Sequence, residues 1–573
     1  MKVVIVGGVA GGMSTAARLR RLDERAEIVV LEKGPHVSYA NCGLPYHLGG
    51  VIEDRDALLL QTPASLHARF ALDVRTGHEV LAVDPAARTV TVRDGGGTYV
   101  EGYDHLVLSP GACPVVPDVP GIERAMTLRD VTDTDRINAA VAATAPGPRD
   151  GADAASSPDA ASSPDAASSP DAASAPGART AVVIGGGFIG VEVAENLRLR
   201  GLDVALVELG RQILPPLDPE MAGPLAAELT AHGVDVRLGT QVTKVLPHDV
   251  ELSDGTTLPA DLVVLAIGVR PDTTLARAAG LTIGARGGIA VDARQRTSDP
   301  RVHAVGDAAE KPDHLTGDAT LVPLANLANR HGRLVADALT GRPVRSAPAI
   351  GTAVAKVFGL TAASTGWNEK RLAAAGRPHR ALHIHPASHA GYYPGARPLA
   401  LKLLVDPGTQ RILGAQAVGA EGADKRIDVL ATAIRGGLTA PELADLELAY
   451  APPYGSAKDP VNMLGHVADN LATGTTDTVQ WHQLDAALTE GAVLVDVRTP
   501  AEHEAGAVPG ARNIPVDELR ARAHELPTDR PVIVYCQVGV RGHTAARLLT
   551  QHGHRVRNLD GGYLTWHAAH AAR

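Results

Sequence analysis

Cysteine, aromatic side chains and long apolar runs are all scarce in this chain. Of its 573 residues three are cysteines, and aromatic residues make up 3%. So few thiols, in an odd number, exclude a disulfide framework and fit a reducing compartment, which predicts a cytoplasmic protein. The chain has no uninterrupted run of about 18 apolar residues, so no membrane-spanning helix is expected. No signal peptide is expected before the strand-like N-terminus.

Positive charge is lacking as well. Lys and Arg number 54 against 64 Asp and Glu, which is a net charge of −10. An acidic chain without a basic run predicts neither nucleic acid nor a membrane surface as a partner. Glycine and proline are plentiful instead, with 60 and 40 residues, and this excess favours a turn-rich α/β protein. At about 100–200 residues per domain, the length predicts about three to five domains.

Two segments share the order strand, glycine-rich turn, helix, strand. They cover residues 2–32 and 180–208. Each is a βαβ unit of a parallel sheet, so the pair predicts two dinucleotide-binding domains. Two later apolar segments that end in glycine, 103–112 and 260–271, are each expected to be the last strand of one such domain. A separate α/β unit is expected after residue 476, with a helix from Thr544.

The second glycine turn carries a complete dinucleotide-binding pattern. Gly185, Gly187 and Gly190 have the spacing that permits a tight turn and close approach of a pyrophosphate to the helix N-terminus. Glu208 closes the next strand, where a carboxylate accepts from a ribose 2′-hydroxyl and repels a 2′-phosphate. The pattern therefore predicts NADH, while Arg211 three residues later leaves NADPH possible.

The first glycine turn departs from that pattern at its middle position, which is Val9. The glycines around it are Gly7, Gly8, Gly11 and Gly12, and Glu32 ends the following strand. Asp307, in a strand–Gly–Asp turn, is predicted to bind a ribityl chain. Two dinucleotides in one chain indicate transfer of a hydride from a nicotinamide to a flavin.

Cys42 is the expected acceptor of electrons from that flavin. It follows Glu32 closely and is predicted to begin a helix, where the helix dipole would lower the pKa of its thiol. No second cysteine lies nearby in the sequence, so Cys42 must cycle with an external sulfur or as a sulfenic acid. Cys113 has no comparable setting and is interpreted as structural.

Cys536 ends a second apolar strand and precedes a tight loop. Backbone N–H groups of residues 537–541 are expected to surround a thiolate or persulfide there. Arg541 adds a positive charge to the same loop. These features predict a second working thiol. No metal site is expected.

These residues carry a resemblance to known families. Residues 1–465 resemble the coenzyme A-disulfide reductase group of the two-dinucleotide-binding flavoproteins, and residues 475–570 resemble a single rhodanese domain. The fusion resembles NADH-dependent persulfide or polysulfide reductases. The segments that carry the resemblance are SYANCGLPYHLGG, PLANLANRHGR, GTAVAKVFGLTAASTG, HAGYYPGA, DKRIDVLATAI, AYAPPYGSAKDPVN, VDVRTPAEHEAGAVPGARNIP and YCQVGVRGHTAARLL.

The resemblance implies an α/β protein with two Rossmann-like dinucleotide-binding domains, an α+β dimerisation domain and a C-terminal α/β rhodanese domain. The expected divisions are 1–115 with 250–325 for FAD, 116–249 for NAD(P)H, 326–468 for dimerisation and 476–573 for the rhodanese domain. A repeat of DAASSP-type hexamers from Asp153 to Pro176 predicts a disordered insert over 148–178, because it offers no side chain large enough to build a core.

Site residues follow from the same resemblance. Cys42 takes the role of the single active cysteine, which alternates with a mixed disulfide to coenzyme A, and Cys536 takes the persulfide-carrying role with Arg541 beside it. Tyr450 and Tyr392, with Tyr393 as the alternative to the latter, match tyrosines that reach the thiol site from a partner subunit, which implies a homodimer. Further cofactor positions are Gly111, Gly268 and Ala325. Positions that match coenzyme A contacts are Ser14, Arg18, Arg21, Ser38, Asn41 and Lys458.

The implied reaction uses NADH and FAD to reduce coenzyme A disulfide, coenzyme A persulfide or polysulfide at Cys42, with sulfane sulfur delivered by Cys536. Coenzyme A serves as a substrate or as a bound cofactor. Two alternatives remain open: an NADH oxidase or peroxidase that cycles a cysteine sulfenic acid, and a sulfurtransferase or redox-sensing sulfur carrier. Gln537 stands where thiosulfate sulfurtransferases often have Arg, which speaks against thiosulfate chemistry.

Overall fold

The structure is a computed structural model that describes residues 1–143 and 180–571. The predicted disordered insert at 148–178 therefore lies outside the described residues. The predicted α/β class is confirmed, because four five-stranded sheets with helices between their strands account for most of the described chain.

The first βαβ unit lies in a five-stranded parallel sheet. Its first strand is central because it is apolar throughout, and residues 3–5 are fully buried. Burying such Val and Ile side chains stabilises the fold by about 1.5–3 kcal/mol each. In spatial order the strands are Val302–Ala304, His105–Leu108, Lys2–Val6, Glu27–Glu32 and Asp73–Thr76.

The second βαβ unit lies in a sheet of the same kind. Its strands in spatial order are Val234–Leu238, Asp203–Glu208, Thr180–Ile184, Leu262–Leu265 and Met126–Thr127. Leu262–Leu265 pairs with Thr180–Ile184 in this second sheet, although the expected boundary assigned residues 250–325 to the FAD unit. We propose that the second dinucleotide-binding unit extends to about residue 265.

Two antiparallel three-stranded sheets flank these units. One is formed by Glu79–Asp84, Thr89–Asp94 and Gly97–Gly102, and the other by Val242–Val245, Asp249–Leu252 and Thr257–Pro259. Two-stranded ladders join Ala112–Pro114 to Val269–Pro271, and Lys311–Pro312 to Ala319–Thr320.

The C-terminal half contains one antiparallel and one parallel sheet. The antiparallel sheet has the order Ala353–Val357, Leu360–Gly366, Ile412–Gly419, Leu399–Val405 and Arg380–Ile384. The parallel sheet has the order Thr478–Val479, Val556–Leu559, Val532–Tyr535, Val493–Asp496 and Arg512–Asn513. The helix expected from Thr544 begins earlier, at Val540, because Gly539 has a φ of 95° and starts it directly after the cysteine loop.

Helices cover the faces of these sheets. Their bounds are Ala10–Arg20, Leu44–Leu48, Pro63–Phe70, Val131–Ala143, Phe188–Leu199, Pro219–Ala231, Thr274–Ala278, Ala325–Leu339, Glu369–Ala374, Ala423–Gly436, Pro460–Ala472, Leu484–Thr489, Pro500–Glu504, Val516–Arg522, Val540–Gln551 and Gly562–Ala571. Within the part of the chain that the structure describes, none of them has the length and apolar character to cross a membrane.

Candidate active site

The two glycine turns have matching geometry at the ends of their second strands. Glu32 accepts from the backbone N–H of Gly8 at 2.7 Å, and Glu208 accepts from that of Gly186 at 2.6 Å. The second oxygen of each carboxylate accepts from a glycine two residues later, at 2.8 Å and 2.6 Å. Both carboxylates are therefore held beside the glycine turn, where a ribose hydroxyl would lie.

Several of these glycines are required by close backbone packing. A Cβ at Gly7 would lie 2.2 Å from the Ser109 carbonyl oxygen, and one at Gly12 only 1.9 Å from that of Gly7. Gly190 has the same relation to Gly185, at 1.8 Å. Any side chain at these three turn and helix positions would force the backbone apart.

Val9 is tolerated for a different reason. It stands just before the Ala10–Arg20 helix, as Gly187 stands just before the Phe188–Leu199 helix. A Cβ at Gly187 would meet no atom within 4 Å. The middle position of the turn therefore faces open space, so a valine there alters how closely a ligand approaches without breaking the turn.

The other predicted cofactor positions surround the first turn and the strand ends. A Cβ at Gly11 would lie 2.9 Å from the Ser109 hydroxyl, and Gly111 adopts a φ of 75°. Ala325 begins a helix that packs against the first nucleotide helix. Gly268 lies exposed just before the Val269–Pro271 strand, with a φ of 120°.

Asp307 meets the requirement for a flavin site. It lies in the Gly306–Ala308 turn, directly after the edge strand of the first sheet. Burial raises the pKa of its carboxyl, against the opposing charges of Lys311 and Arg129, and no described residue donates a hydrogen bond to it. A largely desolvated acceptor without a donor fits a ribityl hydroxyl, so the residues present are suited to FAD.

Cys42 lies exposed in the single turn Asn41–Gly43, before the short helix Leu44–Leu48. Partial desolvation raises the pKa of its thiol, and the charges of Glu192 and Asp307 raise it further. The expected lowering of this pKa by a helix dipole is therefore wrong for the protein alone: the helix has five residues and two carboxylates oppose it. The structure does bring Cys42 and Asp307 into electrostatic range of each other.

Glu192 and Tyr46 are site residues that the sequence reasoning missed. The Tyr46 hydroxyl donates to Glu192 Oε1 at 3.2 Å. Desolvation raises the pKa of Glu192 to about 7, with the charge of Glu195 adding to the effect and the Tyr46 hydrogen bond opposing it. The available signal was a carboxylate two residues after Gly190, within the second nucleotide helix.

Lys311 and Arg129 were also missed. The Lys311 ammonium is buried and donates to the carbonyl oxygens of Gly306 and Ala309 at 2.8 and 2.7 Å, which holds the Asp307 turn. Burial lowers the pKa of this lysine to about 8. Arg129 Nη2 lies 2.5 Å from where a Cβ of Gly111 would be. No motif in the sequence pointed to either cation.

The tyrosines expected to act from a partner subunit lie together on the surface. The hydroxyls of Tyr392 and Tyr450 are 2.7 Å apart, and the two side chains are 76% and 47% exposed. Tyr393 instead packs edge-on against His389, with ring centroids 5.7 Å apart. This arrangement favours Tyr392 over Tyr393 as the partner of Tyr450.

The predicted coenzyme A positions include side chains that have partners within the protein and side chains that are exposed. Arg18 forms an ion pair with Asp337 through Nη2 at 2.8 Å, and its role in binding coenzyme A stays a prediction. Ser14 donates to Asn329 at 2.8 Å, while Ser38 adopts a φ of 50° beside the first glycine turn. Exposed side chains are presented by Arg21, Asn41 and Lys458.

The second thiol lies at the end of the Val532–Tyr535 strand. Cys536 is buried, and the Gly539 N–H donates to its sulfur at 3.2 Å. Arg541 lies near the sulfur and forms a two-bond ion pair with Glu502, at 2.8 and 2.6 Å. The predicted backbone donors thus include at least one that points at the sulfur.

Arg498 is a buried cation under the same loop that the sequence reasoning missed. It pairs with Asp496 at 2.8 Å and donates to the Gln537 side chain at 2.9 Å. Its guanidinium also lies 4.4 Å from the centre of the Tyr563 ring. Gln537 therefore links the cysteine loop to an internal arginine.

Family comparisons divide the chain into three regions. The pyridine nucleotide-disulphide oxidoreductase family matches residues 1–332, and the dimerisation domain of the same family matches residues 352–460. The rhodanese-like domain family matches residues 480–569.

Individual relatives agree with this division. The coenzyme A disulfide reductase of Staphylococcus epidermidis is 32% identical over 470 residues, which is 82% of this chain and 99% of the relative. The crystal structure of reduced Bacillus anthracis CoADR-RHD is 45% identical, with a TM-score of 0.92 over 99% of this chain and 98% of that one. A NAD-dependent persulfide reductase from A. fulgidus is 35% identical, with a TM-score of 0.88 over 99% and 100% of the two chains.

These matches extend over both nucleotide turns, the antiparallel sheet and the C-terminal cysteine loop. The predicted resemblance, fold class and enzyme class are thereby confirmed. The chain belongs to the pyridine nucleotide-disulphide oxidoreductase family, as an FAD- and NAD(H)-dependent oxidoreductase with a C-terminal rhodanese-like domain.

Proposed function

We propose that this enzyme uses NADH to reduce coenzyme A disulfide, coenzyme A persulfide or polysulfide in a reducing cytoplasmic setting, with the rhodanese-like domain delivering sulfane sulfur on Cys536. The observation that carries the proposal is Cys42. It is a free, exposed thiol in range of Asp307, and the two other cysteines are a partly exposed strand residue and a buried loop residue. A lone thiol at this position is suited to exchange with a sulfur that arrives from outside the chain.

Sulfur exchange at Cys42 balances as follows. The Cys42 thiolate attacks one sulfur of R–S–S–R′, so that a Cys42–S–S–R bond forms and the thiolate R′–S⁻ leaves. Two electrons then cleave the mixed disulfide to the Cys42 thiolate and R–S⁻, and each released thiolate takes up a proton. When bound, FAD would supply these two electrons from NADH.

Glu192 and Tyr46 are suited to move a proton at this site. A carboxyl with a pKa of about 7 changes its charge near neutral pH, and it is joined to the Tyr46 hydroxyl at 3.2 Å. The protonated form of Glu192 would also remove one of the two charges that raise the pKa of Cys42. Glu192 would therefore couple proton delivery to thiolate formation.

A homodimer would complete the site. The paired tyrosines Tyr392 and Tyr450 lie exposed on the region that matches the dimerisation domain. A phenol pair of this kind can donate to a leaving thiolate of the neighbouring subunit. The exposed Arg21 and Lys458 would meet the phosphates of coenzyme A.

Replacement of Tyr450 by Phe tests this role. It removes one hydroxyl of the pair and should lower kcat with coenzyme A disulfide about tenfold or more, because general-acid help to a leaving group is worth about 10²–10⁴-fold. Tyr393→Phe is the matched control and should leave kcat within about twofold, since that ring packs on His389. Equal losses in both variants would contradict the assignment.

Glu208 is proposed to select NADH. Glu208→Gln keeps the size of the side chain but removes the charge that repels a 2′-phosphate, so the NADH over NADPH ratio of kcat/KM should fall about tenfold. Arg211→Gln, in the exposed loop three residues later, should raise the same ratio. Steady-state rates with both nucleotides measure it, and an unchanged ratio in Glu208→Gln would overturn the selection role.

The substrate assignment is tested by one set of rates. NADH oxidation would be measured with coenzyme A disulfide, coenzyme A persulfide, polysulfide and oxygen as separate acceptors. The proposal expects multiple turnovers with the sulfur acceptors and little consumption of oxygen. If oxygen is the best acceptor, the result would favour an NADH oxidase. If no sulfur acceptor supports NADH oxidation, the result would favour a sulfur carrier.

A further inference from the structure

A buried group of charged side chains joins the three family-matched regions. His383, in the last strand of the antiparallel sheet, lies between Asp560 and Glu220: its Nδ1 is 2.6 Å from Asp560 Oδ2, and its Nε2 is 3.0 Å from Glu220 Oε1. Asp560 belongs to the rhodanese-like region and Glu220 to the Pro219–Ala231 helix. All three residues are more than nine-tenths buried.

The geometry defines the charge of His383. Both of its ring nitrogens face carboxylate oxygens, which only accept hydrogen bonds. A neutral imidazole has one donor, so both contacts are satisfied only by the imidazolium. His383 is therefore a buried cation between two anions.

Lys402 extends the group. Its ammonium is fully buried and lies 2.5 Å from Glu220, 2.5 Å from Glu369 and 2.9 Å from Asp218. These three carboxylates are spaced as a cation site would be, and the lysine supplies that cation. We call Asp560, His383, Glu220 and Lys402 the charged clamp.

One end of the charged clamp reaches the Cys536 loop through the backbone. Gly561 and Gly562 follow Asp560, and a Cβ at Gly561 would lie 2.7 Å from His383 Cβ. A Cβ at Gly562 would lie 2.3 Å from the Cys536 carbonyl oxygen, which accepts from the Tyr563 N–H at 2.8 Å. The glycine pair is thus packed between His383 and the cysteine loop.

We propose that the charged clamp docks the rhodanese-like domain rigidly on the reductase part, with His383 and Asp560 as positioning residues for the Cys536 loop. Removing one member of a buried, hydrogen-bonded ion pair leaves an uncompensated charge, which opens the contact. The docking claim is independent of the proposed function. The consequence for sulfur loading rests on the proposed role of Cys536.

The clamp also predicts a pH dependence. Burial alone would lower the pKa of His383, but its hydrogen bonds to Asp560 and Glu220 and the charge of Asp560 raise it to about 9, against the charge of Lys402. A histidine pKa raised on docking stabilises the docked state fully below about pH 6.5, and this stabilisation is lost as the pH rises through about 9. Among the neighbours of His383, Lys402 has a raised pKa and Glu220 a lowered one, so both stay charged between pH 7 and 10. Burial lowers the pKa of His385 to about 4, so it stays neutral over the same range. Asp218 and Glu369 face Lys402 from its other sides.

Hydrogen exchange on the full-length, FAD-loaded protein tests the docking. Peptides that cover residues 559–566 and the Pro219–Ala231 helix would be compared in wild type, Asp560→Asn and His383→Gln at pH 7, after correction for intrinsic exchange. We expect the open population of both peptides to rise at least about 100-fold in each variant. Wild-type protection of both peptides should fall as the pH rises from 7 to 10, whereas His383→Gln should show no such fall.

Asp459→Asn is the matched control. Asp459 pairs with Arg426 at 3.0 Å, and both are buried within the antiparallel-sheet region without contacting the clamp. It should leave the exchange of residues 559–566 unchanged. Wild-type protection in Asp560→Asn and His383→Gln, or equal loosening in Asp459→Asn, would overturn the proposal.

A second readout separates charge from shape and docking from chemistry. Asp560→Glu keeps the charge and should retain more protection than the isosteric Asp560→Asn; the opposite order would overturn a charge-based clamp. Persulfide formation on Cys536, followed by intact mass after polysulfide addition, should slow at least about threefold in Asp560→Asn. If Asp560→Asn loses protection but forms the Cys536 persulfide at the wild-type rate, the docking role of the charged clamp would be supported. The same result would refute its role in positioning the cysteine loop.

Discussion

Cys42→Ser is expected to lower kcat for NADH-driven reduction of coenzyme A disulfide or persulfide by about 10³-fold or more. A serine hydroxyl is not ionised near neutral pH and cannot form a mixed disulfide, so the attack on an incoming sulfur is lost. FAD should remain bound, because the groups suited to hold it are Asp307 and the first glycine turn. The measurement is NADH oxidation with each acceptor, together with the flavin absorbance of the purified variant.

Cys113→Ser is the matched control for this experiment. Cys113 lies in the Ala112–Pro114 strand, paired with Arg270, and is only partly exposed. Its replacement should change kcat by less than about twofold. A Cys42→Ser enzyme that still released hydrogen sulfide from persulfide at the wild-type rate with NADH would refute the proposed reductive half.

Cys536→Ser is expected to abolish persulfide formation on the C-terminal loop and to lower polysulfide-dependent turnover about 10²-fold. The physical reason is that the Gly539 N–H and the nearby Arg541 can stabilise a negatively charged sulfur there. A serine at this position has no sulfur and cannot form a persulfide. Intact mass after polysulfide addition measures loading, and NADH oxidation measures turnover.

The two cysteine variants should fail in opposite assays. Cys536→Ser should reduce coenzyme A disulfide at the wild-type rate, because that reaction needs only Cys42. Cys42→Ser should still acquire sulfane sulfur on Cys536 and accumulate it. Undiminished polysulfide turnover by Cys536→Ser would remove sulfur delivery from the proposed function.

Much of the fold could be predicted because local patterns carried it. Each glycine turn was predicted between a strand and a helix, with Glu32 or Glu208 at the end of the following strand. The structure has both turns and both carboxylates in these positions. Val9 also illustrates the limit of such a pattern. The sequence marks it as a departure, but the open space at the equivalent Gly187 explains why the turn survives.

Contacts between distant residues could not be predicted in the same way. Arg18 pairs with Asp337 on another helix, a contact that no motif in the sequence predicted. The pKa of Cys42 was expected to fall with the helix dipole, but partial burial raises it, and the charges of Glu192 and Asp307 from remote segments add to this effect. The Leu262–Leu265 strand joins the second sheet through a pairing that spans about eighty residues.

The order of residues along the chain was sufficient for the fold class and the family, because turn chemistry and strand periodicity are local properties. The folded molecule was needed to reveal the buried cations Lys311 and Arg498, the Tyr46–Glu192 pair, and the clamp of His383 between Asp560 and Glu220. The Tyr46–Glu192 pair and the two contacts of His383 join residues more than a hundred positions apart in the chain, and only burial in a shared, low-dielectric interior makes such pairing strong.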